Sequence, residues 1–202
     1  MTDTQIMKEF RDTGALLDGH FELRSKLHSN RYFQCANLLQ FPRIAEKLCK
    51  EAVRRAKAAG FDGKVDAVVS PAIGGILVGH EVARELGVKC IFAEKVLPKG
   101  VDATGKPLTS LAMRRFRLVK GARYVIAEDV VTMGGRVQET IDLVKAAGGK
   151  IAGVIVLVDR SAGKVKFPRI PMYSLIQMTP EVWTPSTCPL CEIGSKPVHP
   201  GS

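Results

Sequence analysis

The sequence predicts an α/β protein in which helices cover both faces of a central parallel sheet. Two observations point there. Four short apolar runs, "VDAVVS" (65–70), "KCIFAEKV" (89–96), "ARYVIAED" (122–129) and "KIAGVIVLVDR" (150–160), read as buried strands. Helical patterns, "GGILVGHEVARELG" (74–87) and "RVQETIDLVKAAGG" (136–149), alternate with them. Strands that alternate with helices of this length pair in parallel through crossovers.

The elements follow in order. Residues 3–17 have the composition of a short helix. "HFELRS" (20–25) and "RYFQCA" (31–36) read as two short strands joined by a basic, polar turn at "KLHSN". From Phe41 to Ala59, Ile44, Leu48, Ala52 and Ala56 recur every four residues on one helix face, and Gly60 stops the helix. In the α/β part, the strand at 65–70 ends at Pro71, and Gly87 caps the helix that follows. "LPKGVDATGKPLTS" (97–110) has no periodicity and reads as a long functional loop, expected to be mobile until substrates bind. The tail from Thr179 is proline-rich and expected to be irregular.

The chain has 202 residues, enough for one domain with a sizeable core, and 46% hydrophobic with 25% charged residues excludes a disordered protein. No apolar run approaches the roughly 20 residues of a membrane span, and "MTDTQIMKEF" lacks a signal-peptide core. A cytoplasmic protein is expected, with no membrane partner. The net charge of +10 favours anionic ligands, but the basic residues are spread along the chain and specify none. Cysteines number five, and Cys35, Cys49 and Cys90 lie in apolar or helical contexts, as reduced thiols do. Cys188-x-x-Cys191, with His199 beyond it, is half of a zinc signature. The remaining ligands are not evident in the sequence, so metal binding, a thiol pair and simple packing all stay open.

The most informative stretch is "YVIAEDVVTMGGRVQET" (124–140). An apolar strand ends in two acids, Glu128 and Asp129; then Val130, Val131, Thr132, Met133, Gly134, Gly135 and Arg136 lead into a helix. Ligands of open parallel sheets bind beyond the carboxyl ends of the strands. The free N–H groups and positive dipole end of the helix suit a phosphate, and glycines let the backbone approach it. Neither a Walker A loop nor a dinucleotide fingerprint is present. Carboxylates beside a phosphate would repel it unless they bind something else, and sugar hydroxyls are the natural choice. Such a motif holds a 5-phosphorylated ribose at both ends.

"VIAEDVVTMGGR" resembles the phosphoribosyl-pyrophosphate motif of type I phosphoribosyltransferases. "GHFELRSKLHSNRYFQC", "SPAIGG", "FAEK", "VDRSAG" and the ending W-x-P-x-x-C-P-L-C resemble, in order, segments of the orotate phosphoribosyltransferase branch. The resemblance implies one domain over residues 1–202. A core at about 41–178 would carry a hood made from 1–40 and the tail 179–202, with a mobile loop at about 97–110. It implies transfer of a phosphoribosyl group from phosphoribosyl pyrophosphate to orotate, with Mg²⁺ held mainly by the diphosphate and no dedicated set of protein ligands. It further implies a homodimer whose loop reaches the neighbouring site, and no nucleic acid. Glu128 and Asp129 would hold the ribose hydroxyls, and Thr132 to Arg136 the 5-phosphate. Arg160 would pair with the orotate carboxylate, and Tyr32 and Phe33 would line the base site with Thr132.

Several positions depart from the family. Gly74-Gly75 stands where Lys-Gly is familiar, so one diphosphate-binding lysine is missing. Arg24 replaces a lysine, Lys26 a glycine, and Met133 a small or hydroxyl residue. The loop has Lys99 and Lys106 but no histidine, so these two, Lys95 and Arg114 share the claim to its catalytic cation. Transfer to a purine base, or a non-catalytic sensor gripping nucleic acid, are the competing functions.

Overall fold

The computed structural model describes residues 1–23, 25–97, 100 and 110–200. Arg24, Lys99, Lys106 and nearly all of the 97–110 loop lie outside the described residues. A six-stranded sheet forms the centre, in the order β5-β4-β3-β6-β7-β8. Its strands are β3 (Ala67–Pro71), β4 (Lys89–Val96), β5 (Ser110–Ala112), β6 (Arg123–Val131), β7 (Lys150–Asp159) and β8 (Met172–Gln177). All pairings are parallel except that of β5, which runs antiparallel to β4 at the edge. The α/β expectation holds, with two strands added. β5 spans only three residues, and β8, "MYSLIQ", mixes polar with apolar positions. Neither carries a buried-strand signature.

The two faces of the sheet are sorted by strand parity. Val125 and Ala127 of β6 and Ile155 and Leu157 of β7 join one core, with α3 (Pro42–Ala58) and α4 (Gly75–Leu86). Ile126, Val154 and Val156 point the other way, onto Val137 and Ile141 of α5 (Gly135–Ala146). Each such side chain withdrawn from water contributes about 1.5–3 kcal/mol, far more than strand propensity does. The α3 reading is confirmed: Leu48, Ala52 and Ala56 are buried along one face. Gly87 caps α4 in the left-handed conformation at φ 70°. A Cβ on Gly79 would lie 2.0 Å from Ser70 Oγ, so a glycine is what lets α4 press onto β3.

A second sheet has three antiparallel strands in the order β1-β2-β9: β1 (Leu16–Glu22), β2 (His28–Phe33) and β9 (Val182–Trp183). Both ends of the chain build it. Here three readings need correction. The helix expected over 3–17 is α1 (Asp3–Asp12) alone. Thr2 and Gln5 form its capping box, and Gly14, at φ 68°, turns the chain so that Leu16 and Leu17 enter β1. The hairpin reversal falls between Glu22 and His28, which pair, so His28, Ser29 and Asn30 are strand rather than turn residues. Strand pairing overrides the turn preference of Ser and Asn. Lys26 takes φ 64°, a conformation that favours glycine. Finally, the tail is not wholly irregular. It gives β9 and the short α6 (Pro189–Glu192), and Val198 bridges to Phe21. No helix of the described residues is long and apolar enough to cross a membrane.

Candidate active site

Glu128 and Asp129 do not end β6, which continues to Val131 because its main chain stays paired with β7 as far as Val131 and Asp159. The acids therefore sit within the last turn-facing residues of a central strand, beside α4. A Cβ on Gly74 would meet Asp129 Oδ2 at 2.9 Å, and one on Gly75 would meet Glu128 Oε1 at 3.0 Å. The glycine pair thus leaves room for the carboxylates. Each acid is braced locally: Asp129 N donates to Glu128 Oε1 at 3.0 Å, and Val130 N donates to Asp129 Oδ1 at 2.8 Å. Burial, then the neighbouring Asp129 charge, pushes the Glu128 carboxyl well above its usual range.

A cavity of about 480 Å³ opens over this pair, lined by residues 128–137 with Pro71, Ala72, Gly74 and Glu139. Gly134 is the N-cap of α5 at φ 75°, and a Cβ there would lie 2.7 Å from Val165 Cγ1. No side chain caps the helix, so its first N–H groups face the cavity. Thr132 and Met133 are exposed, Met133 to 91%. Arg136 pairs with Glu139 across one turn at 2.9 Å. Every residue of the stretch 128–136 singled out in the sequence lines this one cavity.

Arg160 follows β7, and its N–H donates to Val131 O at 2.8 Å, joining it to the motif. Its guanidinium lies over the Phe33 ring, 5.5 Å from the centroid. Its buried Nε has no hydrogen-bond partner. Burial lowers its pKa, opposed by the nearby Cys35 and Tyr32. Cys35 links the two halves. Its thiol pKa is raised by burial and by Asp129, while Arg160 opposes. Tyr32, beside Phe33 in the strand, packs its ring on Phe21, 5.9 Å away, and remains close enough to Arg160 to act on its charge. Lys95 is exposed on β4 and does not line the cavity. Gly74, Glu139 and Cys35 were not foreseen as site residues; only the Gly74-Gly75 departure hinted at one of them.

Away from the cavity, among the described residues, His20, His28, Cys188 and Cys191 form a group of side chains able to hold a metal, one of the readings left open for the cysteine pair. His199 is not among them; its Nδ1 lies 3.0 Å from Glu22 O.

Residues 35–187 match the family model described as the phosphoribosyl transferase domain. A protein of Desulforamulus reducens named orotate phosphoribosyltransferase is 44% identical over 203 residues, covering 100% of this chain and 98% of its own. One of the same name from Chlorobaculum parvum is 45% identical, covering 100% and 97%. This chain belongs to the orotate phosphoribosyltransferase family. Among solved structures, the orotate phosphoribosyltransferase of Aeropyrum pernix superposes with a TM-score of 0.68 at 22% identity, over 86% of this chain and 93% of that one. An adenine phosphoribosyltransferase from Rhodothermus marinus superposes with 0.61 at 17% identity, over 85% and 99%. The phosphoribosyltransferase fold is therefore shared, and the fold alone does not select the base.

Proposed function

We propose that the chain transfers the 5-phosphoribosyl group of phosphoribosyl pyrophosphate to orotate, forming orotidine 5′-phosphate and pyrophosphate in pyrimidine biosynthesis. One observation carries this choice of base: the half-buried guanidinium of Arg160, with a buried and unpartnered Nε, over the Phe33 ring beside the sugar cavity. A partly buried cation with a spare donor next to an aromatic face suits a planar carboxylate-bearing ring. A neutral purine offers it no anion. Thr132 and Tyr32 complete the base side in this reading.

The reaction forms a bond between orotate N1 and ribose C1 as the bond from C1 to the pyrophosphate oxygen breaks. Positive charge develops on the sugar, so catalysis rests on positioning and charge stabilisation. The α5 N-terminus, with Gly134 and Gly135, holds the 5-phosphate while Thr132, Met133 and Arg136 surround it. Asp129 and Glu128 hold the ribose hydroxyls below the reacting carbon. Burial and Asp129 disfavour the charged form of Glu128 in the empty cavity, and a cationic sugar above it would favour that form. The hard carboxylate oxygens facing Gly74 and Gly75 fit Mg²⁺ chemistry. Bound Mg²⁺ would neutralise the departing diphosphate.

Residues 1–40 and 179–202 act as a hood over the core of 41–178, and the enzyme works in the cytoplasm as a homodimer. The 97–110 loop, with Lys99 and Lys106, closes over the neighbour's diphosphate; Arg24 and Lys95 assist from the hood and from β4. Mixing a Lys99→Ala, Lys106→Ala protein with a Glu128→Gln, Asp129→Asn protein then restores activity, since a mixed dimer holds one intact site. Subunit exchange without recovery would reject the shared loop.

The reading of the base is tested by incubating the protein with phosphoribosyl pyrophosphate, Mg²⁺ and orotate, adenine or hypoxanthine, while following pyrophosphate release. Release with orotate alone is expected. Release with a purine but not with orotate would overturn it.

A further inference from the structure

His20 in β1, His28 in β2, and Cys188 and Cys191 at α6 bring four ligand atoms within 4.8 Å of one another. His20 Nε2 lies 3.0 Å from His28 Nδ1, 3.4 Å from Cys188 Sγ and 3.8 Å from Cys191 Sγ. Cys191 Sγ is also 3.3 Å from His28 Nδ1. Hydrogen bonding does not account for this. An imidazole nitrogen has one in-plane position, which carries either a proton or a lone pair, so it serves one partner well and not three. Both histidines and Cys188 are buried, where unpaired polar atoms are costly.

A common atom between the four resolves the crowding. Around a tetrahedral zinc, bonds of about 2.0–2.1 Å to nitrogen and about 2.3 Å to sulfur set edges of roughly 3.3 Å between nitrogens and 3.6 Å between nitrogen and sulfur. The observed separations scatter about those edges. Two thiolates would neutralise a divalent ion, making the buried centre uncharged. The outer face is prepared as well, since His20 Nδ1 lies 3.2 Å from Ser195 Oγ, fixing the ring so that Nε2 points inward. Soft sulfur ligands select zinc over Mg²⁺.

We propose that His20, His28, Cys188 and Cys191 form a closed, structural Cys₂His₂ zinc site that fastens the tail to the β1–β2 hairpin. With four protein ligands it has no open position for substrate. None of the four residues lines the sugar cavity. By holding the hairpin, it supports the strand that presents Phe33 beneath Arg160.

The direct test is elemental analysis of the unaltered full-length protein, purified under reducing conditions from zinc-supplemented cells and passed through gel filtration. Retention of a single zinc per chain is expected, with X-ray absorption showing two sulfur and two nitrogen neighbours. Cobalt substitution should give a thiolate charge-transfer band and the intense visible bands of a tetrahedral ion. Cys191→Ser and His28→Gln should each lose the metal and melt at lower temperature, with removal of zinc by chelator lowering the melting temperature of the unaltered chain alike. Metal-free protein with both thiols freely titratable would overturn the proposal, as would a Cys188–Cys191 disulfide. Because the first measurement uses the unaltered chain, it decides even if the variants do not fold.

Discussion

The sugar-phosphate turn and the three-stranded sheet are built in opposite ways. The turn is contiguous: residues 128–136 run from the last four residues of β6 into the start of α5, and all nine line one cavity. The small sheet is assembled from far apart; Cys188 and His20, separated by 168 positions, meet in it. A contiguous site depends on one strand end and one helix start, so altering it should change chemistry and spare the fold. A site assembled from both chain ends depends on the fold, and altering it should change stability.

The sharpest way to break that contrast is Glu128→Gln combined with Asp129→Asn. Losing two charge-assisted hydrogen bonds, at about 1.5–3 kcal/mol each, should lower turnover by roughly a hundredfold or more while the protein still folds cooperatively. Near-normal pyrophosphate release would mean that the acids are not ribose ligands. Next in size is Arg160→Gln, expected to raise the KM for orotate by roughly ten- to a hundredfold and leave that for phosphoribosyl pyrophosphate nearly unchanged. An equal rise in both would assign Arg160 to the architecture instead.

Glu51 tests the other side. It sits on α3, nearly buried, and Arg54 and then Arg55 hold its carboxyl down to about 2 from 4.5. Arg55 also donates to Leu175 O in β8 at 3.0 Å and to Asp3 in α1 at 2.7 Å, binding distant segments together. A depressed carboxyl stabilises the fold fully above its ordinary value and loses that contribution as pH falls towards the lowered one. Glu51→Gln should cost about 1–3 kcal/mol at pH 7, since its arginine partners are partly exposed. The gap in melting temperature between the two proteins should close between about pH 4.5 and 2. A gap independent of pH would mean that packing, not charge, is lost. The smallest effect has the opposite sign. Glu128→Gln alone removes a carboxyl that burial disfavours in its charged form, and should stabilise the empty protein by about 0.5–1 kcal/mol at pH 7 while slowing it. A lower melting temperature would show that the ionised acid helps hold the cavity.

The same contrast explains what could be read from the residues in advance. Valine-rich runs such as "GVIVLVD" can only be buried strands, and the acids before Gly134-Gly135 announce a ligand turn by spacing alone. β5 and β8 escaped notice because edge strands bury one face at most and carry no continuous apolar run. The end of β6 was misjudged because Glu128 and Asp129 look like terminators, although main-chain pairing with β7 ignores side-chain polarity. The convergence of His20, His28, Cys188 and Cys191 was invisible for a different reason: a pair in the tail and two histidines in a hairpin share no sequence window. Only β1, β2 and β9 in register bring them together.

Pairing between β2 and β9 also sets an order in time. During synthesis the parallel strands and α5 can collapse once β7 has emerged, because each crossover joins near neighbours in the chain. The small sheet cannot close until β9, α6 and Val198 have been made, and loop closure over such a distance is slow. Until then Phe21 and the β1–β2 hairpin lack their covering strand, leaving an open edge of the kind that invites wrong pairing. The strand that carries Phe33 beneath Arg160 therefore completes its sheet only after β9 has been made, later than the turn between β6 and α5 can form.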